Sequence, residues 1–246
     1  MKKTVLVLGA CGQIGAAVTR NLLKEGFFVI ASSKSEVKFQ HKFREDLNKY
    51  EKKLTFYKHD LSDVFKTVKF IKILNKKYKF INYFVNCAGA INRNHFSVES
   101  AKEYQNILNV NFVSPMFIIK ELISEMKKKK FGKIINLSSQ MAKVPHPNAA
   151  PSYEISKSSI NTLSRHLVNE YGKYNISINV ISPGTIQSPI QKTMRSSALK
   201  KIINTIPSKK MGKAEDVANL VCYLFGPKSA YINGANINIS GGSFLD

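Results

Sequence analysis

Seven short runs rich in β-branched and aromatic residues recur along the chain, each separated from the next by a longer amphipathic stretch. They are TVLVLG (4–9), FFVIAS (27–32), LTFYKH (54–59), INYFVN (81–86), KIINLS (133–138), ISINVIS (176–182) and ANINIS (235–240). Between them lie helical patterns such as QIGAAVTRNLLKEG and FKTVKFIKILNKKY. Strands that alternate with helices imply βαβ units and a parallel sheet. Right-handed crossovers then cover both faces with helices in a doubly wound arrangement. No repeat, low-complexity linker or composition break divides the 246 residues, so one α/β domain is expected. The segment 187–212 interrupts the rhythm after a strand end, where an active-site lid is expected.

The first strand runs into Gly9-Ala10-Cys11-Gly12-Gln13-Ile14-Gly15 and then a helix. Glycines permit a tight turn and close approach of backbone N–H groups to a pyrophosphate. The positive end of the following helix favours the same anion. A glycine trio between strand and helix at the N-terminus therefore predicts a Rossmann-type dinucleotide site. The second strand ends in Ala31-Ser32-Ser33-Lys34. No Asp or Glu stands there to hold ribose hydroxyls, as NAD-preferring sites use. Two hydroxyls and a lysine suit a 2′-phosphate, so NADP is favoured, with NAD as the alternative. Asp60-Leu61 follows the third strand; Asp60 is read either as an adenine contact or as the cap of the next helix.

Composition limits the remaining options. A hydrophobic fraction of 43% supports a sizeable core, and no run of 18 or so consecutive apolar residues is present to span a membrane. The start, MKKTVLVLGACGQIG, reads as a first strand rather than a signal peptide. Cys11, Cys87 and Cys222 are far apart, odd in number and without metal spacing. They suit free thiols in a reducing, cytoplasmic compartment, and no metal is expected. The net charge of +22 comes from 38 Lys and Arg, of which only five are Arg. That balance is read as compositional drift or as attraction to an acidic partner. Nucleic acid is disfavoured, because its readers lean on Arg.

YEISK (153–157) places Tyr153 and Lys157 four residues apart on a predicted helix, on one face and one turn apart. Taken with the other segments, the pair makes the chain resemble the short-chain dehydrogenases/reductases, in their branch of about 250 residues. Asn86-Cys87-Ala88-Gly89 resembles the family's NNAG turn, and Asn109-Val110-Asn111 its NVN. Gly132–Ser139 resembles the strand that ends in the catalytic serine. Tyr153-x-x-x-Lys157 resembles the YxxxK pair, and Pro183-Gly184-Thr185-Ile186-Gln187-Ser188 the PGxIxT run beside the nicotinamide. Lys213-Ala214-Glu215-Asp216-Val217-Ala218 and the closing Gly241-Gly242 match its C-terminal run.

The resemblance implies Tyr153 as general acid/base, Ser139 as partner of the substrate oxygen, with Ser138 as the fallback, and Asn111 as holder of a relay water. Lys157 is implied to bind the nicotinamide ribose and, as a nearby ammonium, to lower the pKa of Tyr153. Gly9, Cys11, Gly12, Gln13, Ile14, Gly15, Ser32, Ser33, Lys34, Asp60, Leu61, Asn86, Ala88, Gly89, Tyr153, Lys157, Pro183, Gly184, Ile186 and Ser188 are implied to line the cofactor. Two departures stand out. Gln13 occupies a position where the branch has glycine, a GxxGxxG spacing closer to the branch acting on nucleotide sugars. Ser139 also precedes Tyr153 by 14 residues, where 13 is common.

The overall likeness is to 3-oxoacyl-[acyl-carrier-protein] reductases, which implies reduction of a ketone, an acyl-thioester substrate and a homotetramer. An acidic carrier protein suits a basic patch beside the active-site mouth, for which Lys127, Lys128, Lys129, Lys130 and Lys173 are the candidates. A dehydrogenase of a sugar, nucleotide sugar or small alcohol is the alternative, suggested by the polar loop with Gln140, His146 and Asn148. His95 and His146 are weaker substrate candidates. The lid mixes Ile190, Met194, Leu199, Ile202 and Ile203 with lysines and favours neither substrate. A catalytically silent NADP-binding scaffold is the reading from another class.

Overall fold

The computed structural model describes residues 2–145, 149–189 and 194–245. Its seven strands are β1 (Thr4–Leu8), β2 (Phe28–Ser33), β3 (Leu54–Lys58), β4 (Tyr83–Asn86), β5 (Gly132–Leu137), β6 (Ile176–Pro183) and β7 (Asn236–Ile239). They form one parallel sheet in the order β3-β2-β1-β4-β5-β6-β7. Each lies within or beside one of the seven β-rich runs. The strand period of two explains the layering: along β1, Val5 and Val7 enter one core while Leu6 and Leu8 enter the other.

The first core packs α1 (Gln13–Lys24) and α9 (Ala214–Phe225) on the sheet, with α2 (Glu36–Lys42) and α3 (Arg44–Lys49) beside β2 and β3. The second packs α4 (Val64–Tyr78) and α6 (Ser114–Lys129), flanked by α5 (Ala101–Leu108) and α7 (Pro151–Tyr171). Strands buried on both faces read as near-continuous apolar runs, which is why TVLVL and YFVN are legible.

Residues Ala101–Lys129 form one continuous helical stretch whose middle, Asn109–Val113, widens to a π-helix. By length and mean hydropathy this stretch is long and apolar enough to cross a membrane, although it contains no unbroken apolar run. Its Ile118, Ile119, Leu122, Ile123 and Met126 are buried in the second core, so the packing of the sheet accounts for that hydropathy.

Strand order reverses between β1 and β4, because the chain leaves β1 toward β2 and β3 and returns to β4 on the other side. The chain therefore leaves β1 and β4 toward opposite sides of the sheet, which opens a crevice at the carboxyl ends of the strands. The segment expected as a lid carries α8 (Ser196–Thr205), and its base is pinned. Ile186 bridges to Gly212, the Gln187 N–H donates to the Gly212 carbonyl at 2.8 Å, and the Gly212 N–H donates to Thr185 at 3.0 Å. The chain thus leaves and returns at one point. Ile190, like His146 and Asn148, lies outside the described residues.

Candidate active site

The crevice above β1 and β4 encloses about 290 Å³. Gly9, Gly12, Ser32, Ser33, Lys34, Asp60, Leu61, Ala88 and Gly89 are among the residues that line it. Gly9 has φ +68°, and a Cβ there would lie 2.8 Å from backbone atoms of Cys87 and Ala88. Only glycine allows the two loops to approach this closely. A Cβ on Gly15 would fall 2.2 Å from the Gly9 carbonyl oxygen, so the helix start rests directly on the turn. Gly12 caps α1 without a side chain, which leaves the first N–H groups of the helix facing the crevice. Gln13 is exposed at the first helical position, and Cys11 is partly buried with its carbonyl held by Lys42 Nζ at 3.0 Å. Gly89 lies beside Lys157: a Cβ there would meet Nζ in ordinary contact at 3.5 Å. These are the features a dinucleotide needs, and the residues present fit one.

At the adenosine end, Ser32 is buried and Lys34 is exposed. The Asp60 carboxylate accepts the Ser62 N–H at 2.9 Å. That bond, helped by Lys34, holds its pKa below the ordinary carboxylate value against the opposing effect of burial. Of the two readings of Asp60, the helix cap is therefore corrected: Asp63 caps α4, accepting from Lys66 N–H at 2.9 Å. His59, which also lines the crevice, stacks on Phe70 with ring centroids 4.2 Å apart and bonds Thr67 at 2.8 Å. Burial lowers its pKa. No motif singled it out; its only sequence signal is its place beside Asp60 at a strand end.

The rest of the site gathers residues from four elements. Tyr153 and Lys157 share one face of α7, which starts at Pro151 after Ala150, a helix start suited to proline. Ser139 follows β5; its hydroxyl accepts Met141 N–H at 3.1 Å and lies near enough to Tyr153 to lower that phenol's pKa. Ser138 points elsewhere: its hydroxyl donates to the Lys157 carbonyl at 3.1 Å, tying β5 to α7. Asn111 sits in the π-helical turn and is fully buried. Such turns are uncommon and often mark functional positions. Its side chain accepts Ala90 N–H at 2.7 Å and donates to the Ala90 carbonyl and to Ser156 Oγ, both at 2.9 Å. Ser156 in turn donates to the Tyr153 carbonyl at 2.7 Å. Asn86 is buried at the end of β4.

Pro183 ends β6, and the Gly184 N–H donates to Ile239 at 2.8 Å. A Cβ on Gly184 would lie 2.8 Å from Ser240. Ile186 and Ser188 continue this run into the lid. Beneath α8 lies a second space of about 460 Å³, lined by Gln140, Met141, Thr185, Lys201, Ile202 and Phe244 among others. His95 lies exposed in the loop after β4.

The expected tuning of Tyr153 by Lys157 is not what this arrangement shows. Burial raises the Tyr153 pKa, opposed by the Ser139 hydrogen bond and by the charge of Arg93. The Lys157 ammonium instead donates to the Leu137 carbonyl at 2.9 Å and lies 6.0 Å from the Tyr153 ring centroid. Its own pKa is lowered to about 8, mainly by burial. The folded protein thus releases this proton before the unfolded chain does. The buried charge costs stability below about pH 8, and that cost disappears as pH rises toward the ordinary lysine value. Relative to a Lys157→Met variant, the wild type is expected to gain roughly 3 kcal/mol between about pH 7 and pH 10. Denaturant titrations of both proteins at the two pH values measure it. A constant difference would mean that Lys157 does not titrate early.

The basic patch is also displaced from its expected place. Lys127 and Lys173 converge on the Tyr174 ring, at 4.9 and 5.5 Å, and Lys128 pairs with Glu125. At 1.5 Å per residue, this end of α7 lies about 30 Å from Tyr153. Within one chain the patch does not border the mouth, because α7 runs from the carboxyl edge of the sheet to the opposite edge.

The comparisons with known proteins agree with this geometry. A family model described as enoyl-(acyl carrier protein) reductase matches residues 9–243. The chain is 32% identical over 246 residues to the 3-oxoacyl-[acyl-carrier-protein] reductase FabG of Buchnera aphidicola subsp. Schizaphis graminum, covering 99% of this chain and 98% of that one. It is 25% identical to the acetoacetyl-CoA reductase of Allochromatium vinosum, over the full length of both. It is 26% identical to the 2-dehydro-3-deoxy-D-gluconate 5-dehydrogenase of Formosa agariphila, over 98% of this chain and 92% of that one. In fold it resembles the crystal structure of a 3-oxoacyl-[acyl-carrier protein] reductase from Brucella melitensis, with a TM-score of 0.91 at 22% identity, over 99% of this chain and 92% of that one.

Proposed function

The chain belongs to the short-chain dehydrogenase/reductase family of NAD(P)-dependent oxidoreductases, and from that premise we propose that it is an NADPH-dependent ketoreductase of 3-oxoacyl thioesters acting in the cytoplasm. One observation supports the reading: Ser139, at the end of β5, and Tyr153, in the first turn of α7, come close enough for the serine hydroxyl to act on the tyrosine, with Lys157 one turn on along the same helix. A carbonyl oxygen placed beside the two hydroxyls receives a proton from Tyr153 while Ser139 hydrogen-bonds the charge that develops on it. NADPH, when bound, supplies the hydride. The oxygen gains the proton, the carbon gains the hydride, and the product is a secondary alcohol. Lys157, beside Gly89, is placed to hold the nicotinamide ribose and to return a proton to Tyr153. Asn111 keeps the Gly89–Ala90 turn in place and, as the family resemblance implies, orders a relay water.

The preference for NADP rests on Ser33 and Lys34 at the end of β2 and on the lack of a carboxylate there. The acyl-thioester substrate rests on the 3-oxoacyl and acetoacetyl reductases among the relatives. A sugar or small polar alcohol is the second reading. It is favoured by Gln140, whose buried Oε1 has no partner and whose side chain borders the space beneath α8. If an acidic carrier protein docks on the Lys127–Lys173 patch, the distance to Tyr153 requires that it serve the site of a neighbouring copy. A homotetramer, which the family resemblance implies, supplies such copies.

NADPH oxidation at saturating cofactor, measured against acetoacetyl thioesters, simple ketones and keto-sugars, tests the assignment. The thioester is expected to turn over best. Replacing Lys34 with Asp is expected to reduce the preference for NADPH over NADH by about tenfold, the value of roughly one charged contact. Activity on keto-sugars alone would select the second reading.

A further inference from the structure

The loop of residues 90–99, between the end of β4 and α5, borders the mouth but belongs to none of the motifs. Its near end is fixed by the two Asn111–Ala90 bonds. Its far end is held by one carboxylate. Glu99 Oε1 accepts Asn92 Nδ2 at 2.9 Å and also accepts the Ser152 hydroxyl. The Asn92 carbonyl accepts the Ala150 N–H at 2.9 Å, and the Ala150 carbonyl accepts the Tyr153 N–H at 3.0 Å. Ser152, fully buried, immediately precedes Tyr153. One turn further along α7, Asn111 reaches the Tyr153 carbonyl through Ser156. The turn bearing Tyr153 is therefore held at two points, and Glu99 is the shared acceptor at one of them.

We propose that Glu99 is a positioning residue for the reaction at Tyr153: with one oxygen it locks the first turn of α7 to the loop that carries Arg93. The proposal rests on the reading of Tyr153 as proton donor. Arg93, next to Asn92, turns a positive charge toward Tyr153, so the same lock sets the donor and the charge facing it. Both donors fall on Oε1, so a neutral amide oxygen at the same reach replaces the carboxylate. Aspartate, one methylene shorter, does not span the gap. Alanine leaves the buried Ser152 hydroxyl without its acceptor and frees the turn. Displacement of a reacting group by about 1 Å costs about a hundredfold in rate.

The test compares the intact wild-type protein with Glu99→Ala, Glu99→Gln, Glu99→Asp and Tyr153→Phe. Hydrogen exchange is followed in the peptide covering 149–157, alongside acetoacetyl-thioester reduction by NADPH. In Glu99→Ala, exchange at this peptide is expected to accelerate about tenfold with the other helices unchanged. Its kcat is expected to fall about tenfold or more, with the KM for NADPH within about twofold. Glu99→Gln is expected to recover most of both properties, and Glu99→Asp neither. Unchanged exchange in Glu99→Ala overturns the proposal, as does equal impairment of the Gln and Ala variants. A lower melting temperature with unaltered kcat per folded site also overturns it, since that is a purely structural role. An inactive wild type, or an active Tyr153→Phe, removes the Tyr153 reading instead; exchange then decides the lock on its own.

Discussion

Replacing Tyr153 with phenylalanine is expected to lower kcat by about a thousandfold while leaving NADPH affinity unchanged. Removal of a positioned proton donor typically costs 10²–10⁴-fold, so the expected loss is about 4 kcal/mol of transition-state stabilisation. The hydroxyl is the only atom deleted, and the ring remains in its place on α7 beside Ser139. The crevice proposed for the dinucleotide is lined by other residues, so binding is expected to change little. Tryptophan is absent from the chain, so NADPH binding is best followed by the fluorescence of the nicotinamide itself. Steady-state reduction of acetoacetyl thioester and that titration, run on both proteins, check the two halves. Burial holds the Tyr153 pKa above its ordinary value, so the proton is present throughout the neutral range. Turnover in the reducing direction is therefore expected to vary little with pH there, and to fall only on the alkaline side.

The second large effect is at the glycine turn. Gly15→Ala puts a methyl group 2.2 Å from the Gly9 carbonyl oxygen, a backbone atom that already accepts the Gly12 N–H at 2.9 Å. Neither partner is the end of a flexible side chain, so the turn must open or the helix must move off it. Gly9 cannot readily adapt, because its φ of +68° and its contact with Ala88 both depend on the lack of a side chain. Overpacking of this kind costs about 1–3 kcal/mol. For a chain of this size that lowers Tm by roughly 3–10 °C. The N–H groups at the start of α1 lose their aim at the pyrophosphate, so NADPH affinity is expected to drop about a hundredfold, the loss of roughly two charge-assisted hydrogen bonds. Gly26→Ala is the control: its φ is also positive, but nothing lies within 4 Å of the added methyl. It is expected to lose some stability and to bind NADPH like the wild type. Equal binding by the Gly15 and Gly26 variants would mean that the turn does not hold the dinucleotide.

Much of this site follows from local pattern. The strand ends that carry Gly9, Ser33, Asn86, Ser139 and Pro183 are marked by short apolar runs, and a buried parallel strand has little else to say in sequence. Tyr153 and Lys157 are legible as a pair because a helix brings residues four apart onto one face. Asn111 was placed by its resemblance to NVN, yet the π-turn that orients it has no local signature. The choice between Ser138 and Ser139 rests on which hydroxyl faces α7's backbone and which faces Tyr153. In an extended segment neighbouring side chains take opposite faces, so one residue of register separates the two hydroxyls.

Other features depend on contacts between distant segments and were missed or misplaced. Glu99 and Ser152 are 53 residues apart and meet only after the sheet has formed. The lysine patch is expected at the mouth because the family resemblance puts the ends of α6 and α7 near a carrier-protein site, but helix length carries them to the other edge of the sheet. The tuning of Tyr153 was assigned to its helical neighbour Lys157, whereas burial, Ser139 and Arg93 set it. The amino-acid sequence by itself determined the alternation of strands and helices, the glycine turn and the Tyr–Lys pair, because each is written in spacings of two to four residues. Tertiary structure alone decided which hydroxyl meets Tyr153, where Lys157 donates and what holds the Arg93 loop. Those outcomes depend on burial and on hydrogen bonds between segments that chain connectivity does not place side by side.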